Sequence, residues 1–454
     1  VVGLISLGCV KNLVDSERML AQIGESGAII ADESAADTVV VNTCGFLGSA
    51  RQEALEVIGE LAERKRQGRL RRIVVAGCLV QRDGCKLREA IPEIDALVGV
   101  HNRSDVARAV WEGATNLYLG DYRPQAWSDQ GRLRLTPRHY AYVRISEGCD
   151  QQCTFCTIPA IRGPMRSKPP ETIVAECREL IADGARELIL IGQDTTSYGK
   201  DLGYQEGLAG LLRRLDAACE GARWLRLMYA YPSGFSDAMI DAMAECDRVV
   251  KYLDIPLQHI SDRILRAMGR RVRRDQIETL LRKLRERIPG LSIRTTLMVG
   301  FPGESKAEFE ELLTFVREFG FDALGAFRYS LEPETPAGRM GEQLDEQTKQ
   351  ERYSRLMLAQ QEVAMAAARR RVGQSFEVVV DGRSRRGWLA RHAGQAPEVD
   401  SVCILEPEQP RRASGVGQRP GTSMLAGRWL TVYCTGSEGY DLVVRPQRGE
   451  PPAV

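Results

Sequence analysis

Short apolar runs and helical periods alternate along the first quarter of the chain. Leu4-Ile5-Ser6-Leu7, Thr38-Val39-Val40-Val41-Asn42 and Arg72-Ile73-Val74-Val75-Ala76 have the length and β-branched content of strands. Between them, Asp15–Gly24 is amphipathic, with Leu20 and Ile23 on one side, and a longer helix is expected from about Ser49 to Arg66. This predicts an open parallel α/β sheet over residues 1–115. The alternation resumes with Ala141–Ile145, Glu187–Ile191, Trp224–Tyr229, Val249–Ile255, Ser292–Val299 and Ala323–Tyr329, with helices such as Pro170–Asp183, Arg274–Arg287 and Lys306–Phe319 between them. Pro170 followed by Glu171 suits a first helical turn, where proline loses no bond and an acid meets the dipole. Six strand–helix units predict a central partial (β/α)6 barrel over residues 135–338. The Pro-rich run Glu332–Gly338 is a boundary. A charged helix over 339–371 follows, with Leu356, Ala359 and Val363 on a face that docks. From 372 to 445 five short strands punctuated by Gly and Pro predict a small β-barrel: Ser375–Val380, Gly387–Ala390, Val402–Leu405, Trp429–Cys434 and Tyr440–Val444.

Composition narrows the class. At 454 residues, 43% hydrophobic and 27% charged, the chain can bury several ordinary cores. Its formal net charge of +1 gives no global attraction to nucleic acid or to anionic membrane. No apolar run reaches the ~18 residues of a membrane span, and the opening Val1-Val2-Gly3-Leu4-Ile5 reads as a strand rather than a signal peptide. Twelve cysteines without an export signal point to metal ligands in a reducing, cytoplasmic compartment rather than to disulfides.

Three of those cysteines, Cys149, Cys153 and Cys156, form a Cys-x3-Cys-x2-Cys loop directly after the first barrel strand. A 4Fe–4S cluster ordinarily takes four cysteines. Here the next one is Cys177, on a helix, so one iron stays open to a small molecule. An open iron can bind S-adenosylmethionine (SAM) through its amino and carboxylate groups and reduce its sulfonium, giving a 5′-deoxyadenosyl radical. The rival reading, a zinc knuckle, lacks the usual paired Cys-x2-Cys units and a fourth ligand. The spacing, with Phe155 before the last cysteine, resembles the radical-SAM superfamily signature. Among the strand-end loops, Gln193 in Gly192-Gln193-Asp194-Thr195-Thr196 and Val299 in Leu297–Glu304 are candidate SAM contacts, with Phe155. Polar residues in such runs are equally caps and turn formers. His259 reads as a substrate contact or as a structural histidine.

Cys9, Cys44 and Cys78 repeat at intervals of 35 and 34 residues, each just past the carboxyl end of a predicted strand. Those ends share one edge of a parallel sheet, where ligands bind. The phase common to three units favours a second cluster over three separately buried thiols. Cys85 reads as a bystander, and Cys177, Cys219 and Cys246 as packing residues.

Ser6-Leu7-Gly8-Cys9-Val10-Lys11-Asn12-Leu13-Val14-Asp15-Ser16-Glu17 resembles the opening of the methylthiotransferase family, in the branch that modifies small-subunit ribosomal protein twelve. Val10 stands where that branch usually has proline. Asn42–Phe46 and Gly77–Arg82 match the other two cluster positions. Val372-Gly373-Gln374, Val379–Gly382, Gln395–Asp400 and Tyr440-Asp441-Leu442 resemble the TRAM domain, an OB-like barrel, that ends these enzymes. The resemblance implies two 4Fe–4S clusters, held by Cys149, Cys153 and Cys156 and by Cys9, Cys44 and Cys78. It also implies SAM as cofactor and methylthiolation of an aspartate β-carbon in ribosomal protein twelve, free or in the ribosome. Reductant and sulfur donor must come from outside the chain. The alternatives are a tRNA-adenosine methylthiotransferase and a non-catalytic iron–sulfur electron carrier or redox sensor. Against tRNA stands the last domain, which from Gly373 onward carries ten Arg, no Lys and nine acids. A phosphate-binding barrel needs a clearer basic excess.

Overall fold

The computed structural model describes residues 1–113, 116–120, 127–406 and 425–447. The boundary expected at residue 115 lies outside them. The first unit is a parallel sheet of five strands in sequence order: β1 (Val2–Ser6), β2 (Thr38–Thr43), β3 (Arg72–Gly77), then Ala96–Gly99 and Asn116–Tyr118. Three of these are the expected runs. The last two are too short, at four and three residues, to show a period. Val39, Val41, Ile73 and Val75 face helix α2 (Gly48–Arg66), while Val40, Val74 and Ala76 face helix α1 (Val10–Glu25). Both faces are covered, so the strands are apolar without alternation.

Helix α1 starts at Val10, with Cys9 as its N-cap, five residues before the expected Asp15. Lys11 and Asn12 are thereby lifted from an expected loop onto a buried first helical turn. Tertiary partners account for the difference. The Asn12 amide donates to Thr43 O at 2.8 Å and Leu7 O at 3.2 Å.

The six barrel strands pair in parallel in one open sheet, from Tyr140–Arg144 through Glu187–Ile191, Trp224–Leu227, Val249–Asp254 and Ser292–Val299 to Ala323–Arg328. The third ends two residues before its apolar run does, because Tyr229 takes a left-handed φ of 62°. Helices bury the outer face. The inner face carries Tyr140, Tyr142, Ile189, Ile191, Trp224, Met228 and Tyr252 and is met by Val14 of α1 and by Val379, Ala396 and Trp429 of the C-terminal domain. That domain is a closed five-stranded barrel, joined through the helix Glu346–Arg371. Trp224 and Trp429 meet edge-on at 4.5 Å across the joint. Beside them Glu187, fully buried, accepts from Arg226 at 2.7 Å and Arg391 at 2.8 Å. Among the described residues no helix is long and apolar enough to cross a membrane.

Candidate active site

Parallel strands place both cysteine sets at carboxyl ends. β1 leads through Gly8 to Cys9, β2 runs into Cys44, and β3 runs into Cys78, which opens the short helix α3 (Cys78–Asp83). Backbone approach here is close enough to require glycine. A Cβ on Gly8, at φ +89°, would sit 2.6 Å from Cys44 Cβ, and one on Gly77, at φ +99°, 2.7 Å from Thr43 O. The barrel loop follows the same logic: a Cβ on Gly148, at φ +77°, would lie 2.1 Å from Pro164 O.

Burial raises the Cys44 thiol above its ordinary value and pushes Cys78, Cys149 and Cys156 up to about 12. A thiolate at these positions needs a compensating cation, which a bound iron would supply. N–H donors already point at the sulfurs: Arg162 Nε to Cys78 Sγ at 3.3 Å, Arg270 Nη1 to Cys153 Sγ at 3.9 Å, and the Ile158 amide to Cys156 Sγ at 3.4 Å. Such donors stabilise sulfur carrying negative charge, so the residues present suit iron–sulfur ligation. Among the described residues no three His, Cys, Asp or Glu side chains form a group that could hold a single metal ion. Ligands to three different irons of a cubane need not converge on one point.

The two sets share one joint. Ile161, in the helical turn Ile158–Arg162 after the barrel cysteines, packs on Cys78. Buried Arg162 reaches Glu147 Oε1 at 2.6 Å, Asn12 Oδ1 at 2.5 Å and Asp15 Oδ2 at 3.1 Å. Arg144 joins the same two carboxylates at 2.6 Å each, and Arg103 at 2.7 and 3.1 Å. Opposing guanidiniums, Arg162 foremost, overcome burial and hold the Glu147 carboxyl well below its ordinary range. Lys11, two residues after Cys9, projects from α1 onto the ring of Tyr229, its Nζ 2.9 Å from the centroid. Burial lowers its ammonium to about 8.

The expected SAM contacts differ in what they offer. Gln193 donates to Glu147 at 3.3 Å, and its buried Oε1 has no partner among the described residues. Phe155 packs beside Ile264, Met268, Phe301 and Tyr329. The Val299 side chain is buried in the outer core, and its carbonyl accepts the Tyr329 N–H at 2.9 Å. Asp194 is turned inward, accepting from Gln151 at 2.8 Å and from Thr196 and Ser197, so it fastens the cysteine loop. His259 is fully buried, its Nδ1 accepting the Ser261 N–H at 3.0 Å, which supports the structural reading. Cys85 is exposed, and Cys177, Cys219 and Cys246 are buried away from the joint. Arg162, Arg270 and Tyr229 escaped the sequence reading, because nothing in their local spacing separates them from other strand-end and loop residues.

Residues 143–316 match the radical SAM superfamily, residues 2–99 the uncharacterised protein family UPF0004, and residues 372–446 the TRAM domain. The radical SAM methyltransferase TsrM of Kitasatospora setae shares the fold, with a TM-score of 0.55 at 16% identity over 74% of each chain. The ribosomal protein uS12 methylthiotransferase RimO of Anaeromyxobacter sp. (strain K) is 44% identical, covering 99% of this chain and 94% of its own. That of Trichlorobacter lovleyi is 46% identical, covering 97% of each. At this identity over nearly its full length, the chain belongs to the RimO family of ribosomal protein uS12 methylthiotransferases.

Proposed function

We propose that the chain is a SAM-dependent methylthiotransferase that places a methylthio group on the β-carbon of an aspartate in ribosomal protein uS12. The observation that carries this reading is the joint itself. Two cysteine triads, each on the carboxyl edge of its own parallel sheet, meet across one buried ionic network. In this reading Cys149, Cys153 and Cys156 hold one 4Fe–4S cluster, and Cys9, Cys44 and Cys78 hold a second. With SAM, these groups would supply the hydrogen-abstracting radical and the sulfur-bearing site.

The chain's residues do the rest. Arg162 and Arg270 hold N–H bonds on ligand sulfurs and so bias their charge. The unpartnered Gln193 Oε1 suits an ammonium donor such as that of SAM. The ionic network of Asp15, Arg144, Glu147 and Arg162 is itself buried, so its charges act in a water-poor setting beside the cysteines. The C-terminal barrel favours a protein over RNA as partner: Arg386 of the Arg383–Arg385–Arg386 patch is already paired with Asp441 at 2.7 Å and Glu438 at 3.0 Å.

The test is an anaerobic competition. Reconstituted enzyme, SAM, sulfide and reductant are mixed with uS12 and unmodified tRNA together, and both are examined by mass spectrometry. A methylthio gain on uS12 alone is expected. Gain on tRNA alone overturns the substrate assignment. SAM left intact overturns the enzymatic one.

A further inference from the structure

We infer that Lys11, seated on the Tyr229 ring at the joint between the two cysteine triads, is the anchor for the carboxylate of the substrate side chain. This rests on the substrate reading above and specifies how the site selects an acid.

The first support is charge balance. In the joint, Arg103, Arg144, Arg162 and Lys168 are matched by Asp15, Asp129, Glu147 and Glu176, all in direct ion pairs. Asp254, the other acid near Lys11, is taken by Arg294 at 2.7 Å and by the Tyr229 N–H at 3.1 Å. Lys11 is 6% exposed, yet among the described residues its ammonium makes no hydrogen bond or ion pair and rests on an aromatic face alone. A largely buried lysine whose ammonium rests only on a ring face is stabilised only in part, and a Cys9 thiolate two residues away would share its charge without bonding it. An incoming carboxylate completes the pair.

The second support is the platform. Tyr229 is one of four non-glycine residues with positive φ among the described residues, a strained conformation held by Asp254, which Arg294 braces in turn. Arg294 also reaches Asp400 of the C-terminal domain at 3.3 Å. All three domains thus fix where the ring, and with it the ammonium, lies. The third support is the helix end. The α1 N-terminus has no capping side chain and no acid in its first turn, so its partial positive charge adds to that of Lys11.

The test compares wild type with Lys11→Met and Lys11→Arg on uS12 and on uS12 whose target aspartate is replaced by asparagine. Iron content and SAM cleavage without substrate report on intact clusters. The wild type should prefer the acid at least about tenfold in kcat/KM. Lys11→Met should lose that preference through a raised KM for the acid, keeping its iron and its substrate-free SAM cleavage, and Lys11→Arg should recover part of it. Retention of the full acid preference by Lys11→Met refutes the anchor alone. Loss of SAM binding in Lys11→Met also refutes it, since the carboxylate served would be that of SAM. A wild type that modifies neither form of uS12 refutes the substrate reading and the anchor with it.

Discussion

Replacing Arg162 with methionine removes a side chain that bonds a cysteine of one triad and a carboxylate beside the other. Its guanidinium makes four contacts: Glu147 at 2.6 Å, Asn12 at 2.5 Å, Asp15 at 3.1 Å and Cys78 at 3.3 Å. Removing one member of a buried ion pair costs roughly 3–5 kcal/mol when the partner is left alone. Here Asp15 and Glu147 each keep Arg144 at 2.6 Å and Arg103 within 3.1 Å, so neither carboxylate is orphaned. What is lost is the bonds to Asp15 and Glu147 at about 1.5–3 kcal/mol each, with those to Asn12 and Cys78 beside them, offset in large part by no longer burying the guanidinium. The expected net loss is about 3 kcal/mol. It falls on the docking of α1 against the barrel, not on either sheet. Native-state hydrogen exchange separates the two: amides of α1 should open more readily by that amount, while those of Leu188–Leu190 in the barrel sheet keep their protection. Arg162→Lys should be intermediate, because an ammonium cannot span four acceptors. A change in α1 below about 1 kcal/mol, or an equal loss in both regions, would refute the account of Arg162 as the joint's central tie.

Gly148→Ala should strip iron from the barrel loop while sparing the first domain, because a Cβ there would lie 2.1 Å from Pro164 O at a φ of +77°; iron per chain measures it, and on the proposed two-cluster reading one of two EPR signals is lost. Glu187→Gln leaves Arg226 without its carboxylate and should loosen the C-terminal barrel by roughly 3–5 kcal/mol, read as a red shift of the Trp224–Trp429 emission. In the wild type, burial raises the Glu187 carboxyl but Arg391 and Arg226 outweigh it, so its folded value lies below the ordinary 4.5. Its stabilisation is therefore complete above about pH 4.5 and is lost only as the pH falls through the depressed value, so the same emission should not move between pH 6 and 8.

How much of this could be read from the sequence depended on whether a residue's partner was near in the chain. Three strands of the first sheet and the six of the barrel announced themselves because a doubly covered parallel strand must be apolar throughout, as Val39–Val41 and Ile189–Ile191 are. The placement of Cys9, Cys44 and Cys78 was legible for another reason: their spacing follows the strand–helix unit, so sequence period translates into one sheet edge, whereas Cys149, Cys153 and Cys156 share a single loop. The polar half of the site was not legible. Lys11 and Asn12 look like loop residues, and their burial depends on Tyr229 and Thr43, more than 30 residues away. Arg162 sits in Ile161-Arg162-Gly163, which gives no sign that its side chain crosses to another domain. The Leu297–Glu304 run is read for what its backbone could offer, and burial of the Val299 side chain in the core leaves that reading untouched.

The chemistry of the joint explains why it is built from charge. An apolar seam between the first two domains would stabilise docking at least as well, since buried ion pairs roughly break even against hydrophobic packing of the same volume. But apolar contacts tolerate sliding, whereas Arg162 can serve Cys78, Asn12, Asp15 and Glu147 together only at one relative placement of α1 and the barrel loop. If the two cysteine triads carry the two reacting sites proposed above, those sites need a fixed separation, because effective molarity collapses when reacting atoms drift by about 1 Å. The joint to the C-terminal barrel is ionic as well, with Glu187 held by Arg226 and Arg391 and with Arg294 reaching Asp400 at 3.3 Å, and there the edge-on tryptophans and Ala396 add apolar contact. On the proposed two-cluster reading the first joint carries the stricter duty, because it would have to keep two sites in register.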